Sequence, residues 1–583
     1  MSPTERITKV EWVFVLVATF LGLGLRFWHL DRLAVEHFDE GVYASNLFFT
    51  ERDNFRYPNQ HLYAPPLVPG LIEWSMTFLG MEPWVPMIPG ILLGAATVPL
   101  LWWMLRGLAG PLAAMLACWL LATNEYHIFY SRTALTEPVL GFFWVLALGL
   151  GARALLIPLA DNPRRAYTLA AFAGLACGLC WWTKYNGWLT AFLLTATAGL
   201  QWLIMERTSR RLKQNLIVVG IMLAVTILVY APYIWSLQPT GGYLAVSANH
   251  RQYLEGLGSW WKNWNLQIQS LNTLQTYMTG ALGGISVLGF ILWSREQEAQ
   301  ASRILLIDTL RKSRFWLMQI VYYVFFSNII SDFTFLLVGG LAVWLCYDYR
   351  KSINARTKLT MSIGLTAIWL VSLLIMTPLY HPYPRLILPA VIAGLVLYGI
   401  MVELIRLTYD NKADSKSSDL AKENRRTKIL TVLMAFLLLN AVRATITLPT
   451  KIYGQRVGLE TSVSQVVKTV IPNGDLNAPV IVYVYGEPAV YWNLSRQQIL
   501  AGPVSDLEFA SSETRPAGVS LYLVTGPHAG QTPAFATQME AKKDLFEEVG
   551  KFDYEPSLLI KMDEVGGDPK AKKVETLTLW KVK

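Results

Sequence analysis

Five short stretches of this 583-residue chain set ionisable side chains beside aromatic, glycine or proline residues, at or near the ends of long apolar runs. In HFDEGVYA, Asp39 and Glu40 follow the first apolar run and are flanked by His37 and Tyr43. Adjacent carboxylates beside an apolar medium are costly unless hydrated or used, and neighbours on a helix point in different directions, so the two can hold different roles. Asp39 is expected to act as a base; the plainer alternative is that it caps a short helix over 41–50. In YSRTALTEPVLGFF, Arg132 and Glu137 open a later run, although Glu137 followed by Pro138 is also a good helix start, since proline lacks the donor that a first turn leaves unpaired. WWTKYNGW sets Lys184 between two apolar runs, where snorkelling alone would account for a single lysine. YHPYPRLILP brings His381 and Arg385 to another run through prolines that fix the approach. A phosphate would suit Lys184 and Arg385, since arginine offers a planar fork and lysine a compact charge. NHRQY adds His250 and Arg251, with either an acceptor-binding or a structural role.

The elements that must position these groups follow from composition. With 53% hydrophobic and 16% charged residues and a mean hydropathy of +0.35, the chain has too few charges to cover a soluble globule of its size, where about a quarter of residues are normally charged. The net charge of +9 could suggest nucleic acid as a partner, but a nucleic-acid binder gathers its basic residues on one soluble face. Here they fall in short clusters between apolar runs, and the 22 Trp and 26 Tyr suit interfacial belts. Cys118, Cys177, Cys180 and Cys346 all lie inside apolar runs, which leaves no outer disulfide framework, and the Cys177/Cys180 pair reads as core packing.

A span needs about 20 apolar residues. Runs at 12–28, 84–105, 111–122, 139–159, 167–182, 187–205, 216–235, 277–293, 315–347 (two short spans), 359–377, 386–405 and 429–444 predict a polytopic α-helical membrane protein with about thirteen transmembrane helices. Basic loops stay cytoplasmic. That rule puts the N-terminus, the 164–165 loop, RTSRRLK, the 295–314 and 350–358 segments and the 412–428 linker inside. Outside lie the 30–83 loop, the 236–276 loop and everything after about 448. The first of these contains HLYAPPLVPGLIEWSMTFLG, an amphipathic stretch that reads as a lid between water and lipid or as a plain re-entrant loop.

The division expected is therefore a transmembrane catalytic domain over 1–448 and an extracytoplasmic α/β domain over 449–583. In the second, the runs at 480–486, 519–526, 557–562 and 576–582 read as strands and 533–549 as a helix. Nothing in its residues suggests an active site.

In their order and sidedness, the DE after the first span, the PPL of the outer loop, the SR and acidic residue opening the fourth span, the TKYNG turn and the YPRLILP segment resemble the bacterial ArnT and protein O-mannosyltransferase superfamily of GT-C enzymes. The resemblance runs from about Asp39 to Pro389. It implies a GT-C fold in a bacterial inner membrane, and an inverting, single-displacement transfer of a sugar from a polyprenyl-phosphate donor to an acceptor that is protein, lipid A or glycan. It implies Asp39, with Glu40 and Glu137, as the catalytic carboxylates, and Lys184, Arg385, Arg132 and His61 as the donor-phosphate set. His37, Tyr43, His250, Arg251 and His381 are left to the sugar or the acceptor. Two departures stand out. The position before PPL, usually basic in relatives, is Ala64, so a phosphate contact is missing or supplied by His61; and the fourth-span acid, commonly Asp, is Glu137. A divalent metal (Mg or Mn) bridging Asp39 and Glu137 is the arrangement of oligosaccharyltransferases of this fold, but ArnT-like and mannosyltransferase relatives need not use one. A lipid or solute transporter is the first alternative; it would place polar groups at mid-membrane depth in repeated halves. Only Asp332 fits that pattern. A non-catalytic subunit of an envelope assembly complex is the second, and it would tolerate loss of the Asp39 charge.

Overall fold

The computed structural model describes residues 7–45, 57–204, 206–274, 357–413, most of 442–511, 518–563 and 573–583. Helix α1 (Lys9–Phe27) starts at a capping box in which Thr8 accepts from the Glu11 amide and Glu11 from the Thr8 amide. Then follow α2 (Phe38–Ala44), α3 (Leu67–Leu79), α4 (Ile88–Leu108), α5 (Pro111–Ala122), α6 (Glu125–Ser131), α7 (Glu137–Leu156), α8 (Pro163–Thr183), α9 (Leu189–Ile204) and α10 (Ser209–Ser236). The next are α11 (Gly242–Arg251), α12 (Trp260–Leu274), α13 (Thr357–Met376) and α14 (Leu388–Ala413). Among the described residues six helices are long and apolar enough to cross a membrane: those within Lys9–Arg32, Val85–Leu108, Glu137–Leu156, Pro163–Thr183, Ser209–Ser236 and Lys358–Leu379.

The outer face of this bundle is apolar. Phe20 on α1 and Leu228 on α10 are 67% and 71% exposed, which suits hydrocarbon rather than water. Nine of the expected spans coincide with helices, with one shortfall. The 111–122 run ends at Thr123, Asn124 caps α6 by accepting from the His127 amide, and α5 by itself is too short to cross. The expected spans at 277–293 and 315–347, Asp332, most of the 429–444 span, and most of the basic segments at 295–314, 350–358 and 412–428 lie outside the described residues, as does Cys346.

Beyond 448 the chain builds a five-stranded sheet in the order β2-β1-β3-β5-β4. Strands β1 (Val480–Tyr485), β2 (Ala501–Val504) and β3 (Ser520–Thr525) are parallel. Strand β5 (Glu575–Val582) runs antiparallel to β3 and to β4 (Phe546–Tyr554). Around the sheet lie α15 (Gly458–Val470), α16 (Pro488–Arg496), α17 (Pro533–Ala541) and α18 (Leu558–Asp563). Two expectations change here. The 557–562 run is helical, with Leu559 and Met562 buried three residues apart, a helical rather than a strand spacing. The 533–549 helix stops at Ala541, because Phe546 onwards pairs with β5 as an edge strand and bulges near Gly550.

This part of the chain docks on the last turn of α1 and the loop after it. Asn493 donates to the Val35 carbonyl at 3.0 Å, the Ser557 amide to Glu36 at 2.7 Å, and the Tyr453 hydroxyl to the Leu25 carbonyl at 2.6 Å.

Candidate active site

Four helix ends meet where the tail docks. Asp39 sits in the first turn of α2, Glu137 opens α7, Lys184 closes α8, and Arg385 stands in the 3-10 turn Pro384–Ile387 before α14. The turn after Lys184 needs glycine at 187, because a Cβ there would fall 2.1 Å from the Cys180 carbonyl oxygen. Arg385 is the hub. Its Nη2 donates to Asp39 at 2.6 Å, its Nη1 to Asp563 at 3.0 Å, and its Nε lies 3.4 Å from Glu137. Lys184 pairs with the same Glu137 oxygen. His37 joins through both ring nitrogens: Nδ1 accepts the Asp39 amide at 3.1 Å, so the ring proton sits on Nε2 and is donated to Asp563.

Exposure separates these groups. The Asp39 and Lys184 side chains are 19% and 20% exposed, against 8% for Arg385, 9% for Asp563 and 2% for Glu137. An incoming molecule therefore meets Asp39 and Lys184, while Arg385 is already held by carboxylates and Glu137 lies beneath both cations. Of the two cations read from the sequence as phosphate ligands, the structure leaves Lys184 the accessible one.

The other expected site residues divide. Tyr43 is buried, and its phenol pKa is pushed up by that burial and by the nearby Asp39 carboxylate. His250 accepts or donates at 3.0 Å with the Tyr380 hydroxyl; burial and the Lys184 charge push its pKa down to about 4, so the ring is neutral. His381 pairs with Glu255 at 2.8 Å. Arg251 is exposed, and the structure gives it no contact with the cluster. His61 is half-exposed; its carbonyl accepts from the Tyr185 hydroxyl, and burial lowers its imidazole pKa.

Two of the expected site residues are held by contacts away from the open side of the cluster. Glu40 is fully buried, paired with Arg456 at 2.6 Å, and accepts amides from Glu36, His37 and Ala134. Burial by itself would raise its pKa, but Arg456 and these donors prevail and hold it below the usual carboxylate range. Arg132, 2% exposed, donates to the carbonyls of Arg26 (2.7 Å), Trp28 and His29, and packs over the Tyr453 ring. Its donors pin the end of α1 and do not face the cluster.

Sequence reasoning missed Asp563, Arg456 and an aromatic wall. Tyr253 packs against Tyr380 and Tyr383 at 5.8 and 6.1 Å between ring centroids, and Tyr383 lies 4.6 Å under the Arg385 guanidinium. Tyrosine rings with an apolar face and a polar tip suit the CH and OH groups of a sugar. Asp563 and Arg456 carried no local signal, being ordinary charged residues in a polar stretch.

Arg385 already stands between Asp39 and Glu137, and among the described residues no group of three or more His, Cys, Asp or Glu side chains is placed to hold a metal.

Residues 63–235 match the family of dolichyl-phosphate-mannose-protein mannosyltransferases. No curated protein matches the chain in sequence. In structure it is similar to ArnT from Cupriavidus metallidurans, solved bound to undecaprenyl phosphate: 12% identity, TM-score 0.54, covering 98% of this chain and 97% of that one. It is also similar to the archaeal oligosaccharyltransferase AglB from Archaeoglobus fulgidus, solved with an inhibitory peptide and a dolichol-phosphate: 12% identity, TM-score 0.51, covering 94% and 73%. The helical bundle and docked tail thus share their fold with these two solved structures over nearly the whole chain, residues 63–235 carry the family match, and the apolar helices are those of a multi-pass membrane protein.

Proposed function

We propose that the chain is an inverting glycosyltransferase that moves a sugar from a polyprenyl-phosphate carrier to an acceptor on the extracytoplasmic side of a bacterial inner membrane. One observation carries this reading. At one end of the helical bundle, Asp39 and Lys184 are the most open members of an otherwise buried ion cluster, side by side with an aromatic wall. Asp39 takes the proton of the attacking acceptor hydroxyl; a positioned base is worth about 10² to 10⁴ in rate. Lys184 faces the phosphate on which charge grows as the carrier departs, and a positioned cation at developing charge is often worth more. Arg385 holds Asp39 oriented and offers a second positive charge behind it.

The polyprenyl carrier is supported by the two structural neighbours, which were solved with undecaprenyl phosphate and with dolichol-phosphate. The transmembrane unit on this reading is 1–448, and 449–583 is an extracytoplasmic unit docked on the site. The test is transfer by the purified wild type and Asp39→Asn from undecaprenyl-phosphate-linked pentoses and hexoses, read by mass spectrometry. We expect sugar loss from the carrier in the wild type, reduced about 10² to 10⁴-fold in the variant. A folded variant of equal activity would show that Asp39 is only a helix cap.

A further inference from the structure

The C-terminal part of the chain reaches the chemistry through one side chain. Asp563, the last residue of α18, is nine-tenths buried against His37 and Arg385, residues 526 and 178 positions away in sequence. Its Oδ2 accepts from both, and its Oδ1 is buried with no partner. Burial opposes ionisation of this carboxyl, yet the Arg385 charge and His37 outweigh it and hold its pKa below the usual range. The buried Oδ1 has no hydrogen-bond partner to offset its desolvation, so half of this carboxylate is left unused by the fold.

We infer that Asp563 is a positioning residue of the site, fixing the His37 ring and one edge of the Arg385 guanidinium and through them holding Asp39. The inference rests on the reading of Asp39 as the base. Two routes run from Asp563 to Asp39. Along the first, Arg385 gives one nitrogen to each of three carboxylates, so its plane is held at three edges. Without Asp563 the Nη1 edge keeps only the His37 ring at 3.3 Å, the guanidinium loses one of its three carboxylates, and the hold of Nη2 on the Asp39 oxygen loosens. Along the second, the Asp563 carboxylate receives the Nε2 proton of His37, which leaves Nδ1 to accept the Asp39 amide and set the first turn of α2. Lys184 touches neither Asp563 nor His37 and is tied to Arg385 only through their shared Glu137 oxygen, so a change at Asp563 reaches the phosphate side less than it reaches Asp39.

The test is steady-state kinetics of the full-length protein in nanodiscs, with the undecaprenyl-phosphate sugar that the wild type turns over. Asp563→Ala should lower kcat about 10- to 100-fold, the usual loss on removing an orienting partner, with the donor KM within about twofold. Asp563→Glu should recover part of that loss. The His37→Ala/Asp563→Ala double variant should be no slower than the slower single variant, because both act on one unit. A wild-type kcat in Asp563→Ala, strictly additive losses in the double variant, or a rise in donor KM alone would each overturn the inference. If Asp563→Ala does not fold, Asp563→Asn, nearly the same shape without the charge, carries the same expectation with an unfolding midpoint close to that of the wild type. Absence of any turnover by the wild type would instead defeat the proposed function, and with it this inference, before a variant is compared.

Discussion

Among single residues, neighbours in sequence do unlike work. Asp39 faces the open side of the cluster, whereas Glu40 points the other way, into a fully buried pair with Arg456. Removing one partner of such a pair leaves an uncompensated buried charge and costs about 3 to 5 kcal/mol. Glu40→Ala and Arg456→Ala should therefore each lower the thermal unfolding midpoint clearly, and the double variant by less than the sum. The sign of the pH dependence follows from the lowered pKa of Glu40. Its contribution is fully present above the ordinary glutamate value of 4.5 and is lost as the pH falls through the lower, folded-state value. Midpoints measured across that acid range should fall less steeply in Glu40→Gln than in the wild type. An unchanged slope would show that Glu40 does not titrate with unfolding.

Among elements, the decisive contact is between α2 and α16. A Cβ on Gly41 would lie 2.3 Å from the Ala489 amide nitrogen, so the backbones touch and the helix bearing Asp39 can sit here only with glycine at 41. Gly41→Ala must push the two apart. Overpacking of this kind costs about 1 to 3 kcal/mol, and it moves Asp39 as well, so both the unfolding midpoint and the transfer rate should drop. Gly70→Ala in α3 is the control: a Cβ there meets nothing within 4 Å, and alanine is the better helix former. It should leave the midpoint unchanged or raise it. Equal behaviour of the two variants in an unfolding scan would argue against the α2 to α16 contact.

For the whole molecule, the ion cluster and the docked sheet lie at the same end of the bundle, opposite RTSRRLK at the start of α10. The proposed orientation is therefore open to test by side-specific labelling. With Cys346 replaced, and Cys118, Cys177 and Cys180 all buried, single cysteines at exposed positions report sidedness. Lys468→Cys in α15 should react with a membrane-impermeant maleimide on intact spheroplasts, and Arg210→Cys only after lysis. The opposite pattern would invert the topology and put the proposed site on the cytoplasmic side. Truncation after 448 should also abolish transfer, since it removes Arg456 from Glu40, Ser557 from Glu36 and Asp563 from Arg385.

Much of this was legible without coordinates, for a physical reason. Run length, helix period and the clustering of basic residues are local properties, so the described spans and the charged helix ends carrying Asp39, Glu137, Lys184 and Arg385 could be read directly. Short apolar runs carry no such period, and SLLIKM took a helix because Leu559 and Met562 find a core to enter. Which of two adjacent carboxylates faces the site was equally beyond local reading. It depends on what packs on the far side of α2, namely α16 and Arg456, more than 400 residues on in sequence. Asp563 makes the same point most strongly: an unremarkable acid by sequence, it becomes a site residue because the tail docks on the loop after α1 and buries it against Arg385.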